Sequence, residues 1–106
     1  MAPTRPLNAA VKAEVAASYN GLAYTRIAQH DGQAHVFTTS LPDLEAWWFA
    51  LGGYITPEPA GAHAVMWTLT TDTDHGHGAP VTVLAPGLHT DEIDPAIAHA
   101  VRPHTA

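Results

Sequence analysis

The sequence predicts an α+β domain, a small antiparallel sheet of four or five strands (two hairpins) with helices mostly on one face. Three observations carry this prediction. Residues 40–53 have helix signals at both ends, Asp31-Gly32 separates two β-rich runs, and residues 62–71 alternate as a strand does. The expected element order is α-ββ-α-(β)ββ-α, an arrangement in which helices bury their apolar faces against one sheet.

The first helix is predicted over residues 6–20. Leu7, Val11, Val15 and Tyr19 recur at a spacing of four, with alanines between them, which gives a narrow apolar stripe. Asn20-Gly21 is a typical helix stop. Because alanines allow close approach, we expect this helix to lie flat on a sheet or on a second copy of the chain.

A hairpin is predicted to follow, because Asp-Gly favours a type I′ turn with two positive φ angles. Its strands are residues 22–29 and 33–39, and the turn pairs Ile27 with Val36 and Arg26 with Phe37. We expect the face with Ile27 and Val36 to point toward the main core.

The second helix carries three consecutive aromatic residues. Ser40 is a suitable N-cap, Pro42 fits the first turn, and Gly52-Gly53 ends the helix. At 100° per residue, one arc of this helix about 120° wide contains all of its large apolar residues except Phe49. They are Leu41, Leu44, Trp47, Trp48 and Leu51, and we expect this stripe to face the core. Phe49 lies outside that arc, so either a second layer covers it or it faces solvent and a partner.

The second half of the chain predicts a short strand at 54–56, ended by Pro57-Glu58-Pro59, and then two longer strands. These cover residues 62–71 and 80–85, joined by a polar loop. A last helix carries Ile93, Ile97 and Val101, and it begins after Thr90 or, alternatively, after Asp94 at Pro95.

Length, charge and composition exclude several classes of protein. A chain of 106 residues fits one domain, which we place at residues 6–103 after a flexible tail at 1–5. Four basic residues against ten acidic ones give a net charge of −6, too little positive charge for direct nucleic-acid binding. No secretory signal or run of 18 apolar residues is present, so we expect a cytoplasmic protein with no membrane partner.

The one cluster with metal-ligand side chains is the loop between the last two strands. Asp72, Asp74, His75 and His77 offer two carboxylates and two imidazoles on a glycine-rich tip, donors that divalent zinc, nickel or copper accept. The alternative is a solvated turn whose polar composition ends the sheet. No other cofactor is predicted, and the chain has no cysteine to supply thiolate ligands.

No motif fixes a reaction, so the sequence favours a non-enzymatic protein without excluding an enzyme. The two serines, Ser18 and Ser40, lack the nucleophile-elbow pattern, and no phosphate-binding glycine loop occurs. A small-molecule pocket near Trp47, Trp67 and His63 stays open as an alternative.

By elimination, we expect a small protein-interaction module, a homodimer formed through a sheet edge or a helix face, with a regulatory or accessory role. Several large apolar residues fall on the less buried side of the predicted elements, and one thin sheet of this size cannot bury all of them. A sheet of few strands also has edges that dimerisation would cover. The predicted contact residues are Trp47, Phe49, Met66 and Leu84, with Phe37 on a similar side of its strand.

Overall fold

The computed structural model describes residues 8–74, 76, 78–88 and 90–102, and over these residues it confirms the α+β class. The predicted tail at 1–5 lies outside them. The elements are α1 (Ala9–Asn20), β1 (Arg26–His30), β2 (Gln33–Phe37), α2 (Leu41–Leu51), β3 (Tyr54–Pro59), β4 (Ala64–Asp72), β5 (Pro80–Leu88) and a 3-10 helix (Pro95–Ala100).

The five strands form one sheet in the order β1-β2-β5-β4-β3. Three neighbouring pairs are antiparallel, and β2 with β5 is parallel, whereas we expected a wholly antiparallel sheet. The parallel pair joins the two halves of the chain, since α2, β3 and β4 all lie between its strands in sequence. Local turn signals do not encode this long-range pairing.

The β1–β2 hairpin forms as predicted. Asp31 and Gly32 have φ angles of 48° and 78°, the positive values that a type I′ turn requires. Ile27 pairs with Val36, and Val36 is fully buried, so this face does point toward the core.

The second helix, α2, has the predicted ends. The Ser40 hydroxyl accepts a hydrogen bond from the Asp43 N–H at 3.4 Å, and the Gly52 N–H donates to the Trp48 carbonyl at 2.7 Å. The predicted stripe is buried at Leu41, Leu44, Trp47 and Leu51, while Trp48 is half-buried at its margin. These large side chains pack over β4 and β5.

The first helix, α1, packs its alanine face on the sheet and leaves the stripe of Val11, Val15 and Tyr19 exposed. Asn8 caps it, so it begins at Ala9, and it buries Ala9, Ala13 and Ala17 against β1 and β2. Val15 and Tyr19 on the other side are exposed, Tyr19 at 90%. Small side chains let the helix backbone approach the sheet closely, and the predicted close approach of the alanine face is what the structure shows.

The third strand continues through Pro57 and Pro59, where we expected it to end. The Ile55 carbonyl accepts a hydrogen bond from the Arg102 N–H at 2.7 Å, so the odd-numbered residues of β3 direct their backbone groups away from β4. Proline nitrogens on that outer side remove no bond from the β3–β4 ladder. Both prolines are therefore compatible with an edge strand.

The last helical segment is a 3-10 helix rather than the α-helix we expected. Asp94 caps it by accepting from the Ala96 N–H at 2.9 Å, with Pro95 at the first position. Ile97 is buried in the core. Val101 forms an isolated parallel β-bridge with Ile55, on the side of β3 that faces away from β4. The end of the described chain thus covers part of the β3 edge.

One hydrophobic core lies between the helices and one face of the sheet. Cross-strand pairing places Val36, Val83, Leu69 and Ile55 in a single row across four strands, and all four are fully buried. The buried residues of α1 and α2 and Ile97 of the 3-10 helix belong to the same cluster. Within the described part of the chain, every helix therefore packs on the same side of the sheet.

Candidate interaction surface

The opposite side of the sheet has no helix on it among the described residues, and we call it the open face. It consists of the even-numbered residues of β1, β3, β4 and β5 and the odd-numbered residues of β2. Alternation along the strands fixes this set, because neighbouring residues point to opposite sides of a sheet.

The middle of the open face is apolar. Phe37, Leu84 and Met66 are half-buried, Pro86 is exposed, and Leu88 beyond it is 60% exposed. Sheets with one solvated face usually place polar residues on that face. A band of large apolar side chains at the centre of such a face is therefore typical of an interaction surface.

Charged side chains are few on the open face. Arg26 and Glu58 lie at its two sides, and Asp72 lies at the end of β4, where its carboxylate accepts two backbone hydrogen bonds. Arg26 on β1 is exposed, and its guanidinium carbon lies 5.7 Å from the centre of the Phe37 ring. Glu58 is exposed on β3, two strands beyond β5 on the other side. Between them the half-buried residues include threonines at 68, 70 and 82, which can enter an interface at little desolvation cost compared with a charge.

The predicted contact residues separate into three groups. Met66 and Leu84 lie on the open face. Phe49 is 60% exposed, but it lies on α2, on the helix side of the molecule. Trp47 is the correction: it is fully buried, its indole N–H donates to the Ala23 carbonyl at 2.9 Å, and Tyr24 packs edge-on against its ring. Trp47 belongs to the core, so it cannot be a surface contact of this fold.

The residues proposed for a small-molecule pocket do not surround one shared cavity. Trp47 is sealed in the core, His63 is exposed in the turn before β4, and Trp67 is 7% exposed. Among the described residues, Nε1 of Trp67 is a buried polar atom with no hydrogen-bond partner. The Cβ position of Gly87 would lie 3.2 Å from that nitrogen, so the indole edge packs closely over the β5 backbone.

A cavity of about 570 Å³ lies elsewhere, between the start of α2 and the end of β5. Its acidic wall includes Glu45 and Asp91, and both carboxylates already accept backbone hydrogen bonds. Glu45 accepts from the Asp94 N–H at 2.6 Å, and Asp91 accepts from the Leu88 N–H at 2.9 Å. These bonds fix the loop that leads into the 3-10 helix, which gives the two acids a structural role.

The predicted metal loop is described only in part, since His75 and His77 lie outside the described residues. The Asp72 carboxylate accepts hydrogen bonds from the backbone N–H groups of Asp74 and Gly76, at 2.7 and 2.6 Å. No group of three or more possible metal ligands occurs among the residues that the structure describes. The metal site with Asp72 and Asp74 stays a prediction.

Three residues of the surface were missed by the sequence: Glu58, Pro86 and Leu88. Arg26 was paired with Phe37 across the hairpin, but it was not predicted as a contact residue. Pro86 and Leu88 follow Leu84 at a spacing of two, but Pro86-Gly87 reads as a turn and hid the last part of β5. Arg26 and Glu58 become recognisable only when the strand order shows that they flank the same apolar band.

Comparison of the chain with protein-family models, with curated proteins and with solved structures gives no match. No helix in the described ranges combines the length and apolarity that crossing a bilayer requires. The open face is therefore the feature from which a function has to be argued.

Proposed function

We propose that this protein is a small protein-interaction module that works as a homodimer, joined through the open face of its sheet. We also propose that it has a regulatory or accessory role in the cytoplasm. The observation that supports it is the apolar band of Phe37, Leu84, Met66 and Pro86 at the centre of a sheet face that no helix covers in the described part of the chain.

The size of the open face suits a pair of copies. Five strands about 4.8 Å apart and about 17–30 Å long give roughly 500 Å² in projection. The accessible area of the side chains is larger than this projection, and standard protein interfaces bury about 800 Å² on each partner. The open face is therefore of the order of size that a stable contact needs.

Other exposed apolar groups support a contact less well. Phe49 is a single exposed aromatic side chain on α2. Val11, Val15 and Tyr19 form an exposed stripe along α1, but it is only one side chain wide on a convex helix surface. The outer edge of β3 is partly covered by Val101, and the β1 end carries the exposed His30–Asp31 pair. We therefore propose the open face, rather than a helix face or a sheet edge, as the contact surface.

The experiment is sedimentation equilibrium of the parent chain and of Leu84→Asp across a wide range of concentration. We expect the parent to be a dimer and Leu84→Asp to be a folded monomer, because the new carboxylate would be buried without a partner. Phe49→Asp is the matched control, since it puts the same charge on the helix side, and it should leave the dimer unchanged. Circular dichroism checks that each variant folds.

A parent chain that stays monomeric at millimolar concentration would remove the proposal. So would a dimer that Phe49→Asp dissociates and Leu84→Asp does not.

A further inference from the structure

We infer that the two copies pack about a two-fold axis that runs nearly along the strands and passes over β5 between Leu84 and Pro86. This inference depends on the proposed function, since it describes the dimer that the open face forms. It names the contacts of that dimer: Arg26 meets the partner's Glu58, and Phe37 meets the partner's Met66.

The register of the sheet supplies the first step. Arg26 pairs with Phe37, and Phe37 pairs with Leu84, so these three side chains form one row from β1 to β5. Pro86 pairs with Met66, and Met66 pairs with Glu58, so a second row runs from β5 to β3. We call them the Arg26 row and the Glu58 row.

The two rows have matching order around the centre of the face. Each starts at β5, passes through one large apolar residue on the neighbouring strand, and ends in a charged residue two strands from β5. The charges at the two ends have opposite sign. The two rows lie two residues apart along the strands. A two-fold axis that passes between Leu84 and Pro86, tilted by about 20° from the strand direction, therefore brings the Arg26 row of one copy over the Glu58 row of the other.

Each contact created in this way is chemically favourable. Methionine sulfur packs well against aromatic rings, which suits Phe37 opposite the partner's Met66. A guanidinium forms charge-assisted hydrogen bonds with a carboxylate, which suits Arg26 opposite the partner's Glu58. Because the axis repeats every contact, one dimer would contain two such ion pairs at the rim and an apolar centre.

The alternative axis, across the strands, fits the charges less well. It would place β1 over the partner's β1, so that Arg26 would lie near the partner's Arg26 and Glu58 near the partner's Glu58. Like charges brought together across an interface oppose association. With the axis nearly along the strands, the strands of the two copies cross at roughly 40°, given strands about 4.8 Å apart. This crossing angle is close to the angle of about 30° between aligned sheets in β-sandwiches.

Charge reversal tests this arrangement on the full chain, with the dimer dissociation constant as the readout. We expect R26E and E58R each to weaken the dimer at least about tenfold, because each places like charges at both symmetric contacts. The double variant R26E/E58R restores opposite charges and should return to within about threefold of the parent. An equimolar mixture of the two single variants should form a heterodimer, since both of its contacts again pair opposite charges.

Lys12→Glu and Glu14→Arg are the matched controls. They change the net charge by the same amounts as the two single variants, but they lie on the exposed side of α1, and neither should weaken the dimer.

The outcomes separate this inference from the function it depends on. A dimer that tolerates both single reversals would contradict the axis along the strands while the proposed function stands. Weakening by each single reversal without recovery in the double variant would contradict the pairing of residues 26 and 58. A parent chain that never dimerises would overturn both.

Discussion

The two faces of this sheet are built from the same strands and differ in what lies on them. On the helix side, Val36, Leu69 and Val83 are fully buried under α1 and α2. On the open side their chain neighbours Phe37 and Leu84 are as large or larger, yet only half-buried. Strands with apolar residues on both faces are typical of sheets covered on both sides. Over residues 8–102, as far as they are described, helices lie on one side only, and this difference is the physical basis of the proposed dimer.

The largest expected contrast between the sides is in stability. Trp47→Ala removes a fully buried indole from the core under α2, and we expect a loss of about 3–5 kcal/mol in the free energy of unfolding. Met66→Ala on the open face should cost the isolated subunit about 1 kcal/mol or less, because its side chain is only partly buried. Urea unfolding at a concentration low enough to keep the chain monomeric measures both.

Similar losses for these two variants would contradict the division into a core side and an open side.

A smaller loss is expected where α2 turns into β3. Gly53 has φ of +104°, and an added Cβ would meet the Thr70 carbonyl oxygen of β4. We expect Gly53→Ala to cost about 2–3 kcal/mol, from backbone strain and from displacement of that carbonyl. Gly61→Ala is the control, since its φ is +124° but its Cβ would meet no atom within 4 Å. Thermal unfolding of both variants should show the larger effect at residue 53, and the reverse order would argue against the tight turn.

A third expected loss of stability concerns the close contact between α1 and the sheet. Ala13→Leu inserts three carbons between this helix and the sheet, and overpacking of this kind costs about 1–3 kcal/mol. Val15→Leu on the exposed side of the same helix should change stability by no more than about 0.5 kcal/mol. Chemical denaturation of both variants tests whether the alanine face is the side of α1 that packs on the sheet. A larger loss of stability for Val15→Leu than for Ala13→Leu would contradict this.

The elements with local chemical signals were the ones that the sequence predicted well. Asp31-Gly32 determined the hairpin and its register, and Ser40 with Gly52 determined the bounds of α2. What depends on contacts distant in sequence was not predictable in the same way. The parallel β2–β5 pair and the place of two prolines in the β3 edge both follow from which elements become neighbours.

The candidate surface shows the same division. Alternation alone identified Met66 and Leu84, since each follows a strand pattern that a reader can see in the sequence. Trp47 was wrongly predicted as a contact residue, although the helix arc already placed it on the core-facing stripe, and the structure buries it there. The enrichment of aromatic residues at interfaces did not outweigh that direction. The flanking charges of Arg26 and Glu58 were out of reach, because their relation exists only across five strands.

Isotope-filtered nuclear Overhauser spectroscopy on an equimolar mixture of labelled and unlabelled chains tests the central claim most directly. The open-face dimer predicts intermolecular contacts from the methyl groups of Met66 and Leu84, with the Phe37 ring close to the partner's Met66 methyl. Intermolecular contacts confined to Val15, Tyr19 or Phe49, or no intermolecular contacts at all at a concentration where the sample is a dimer, would contradict it.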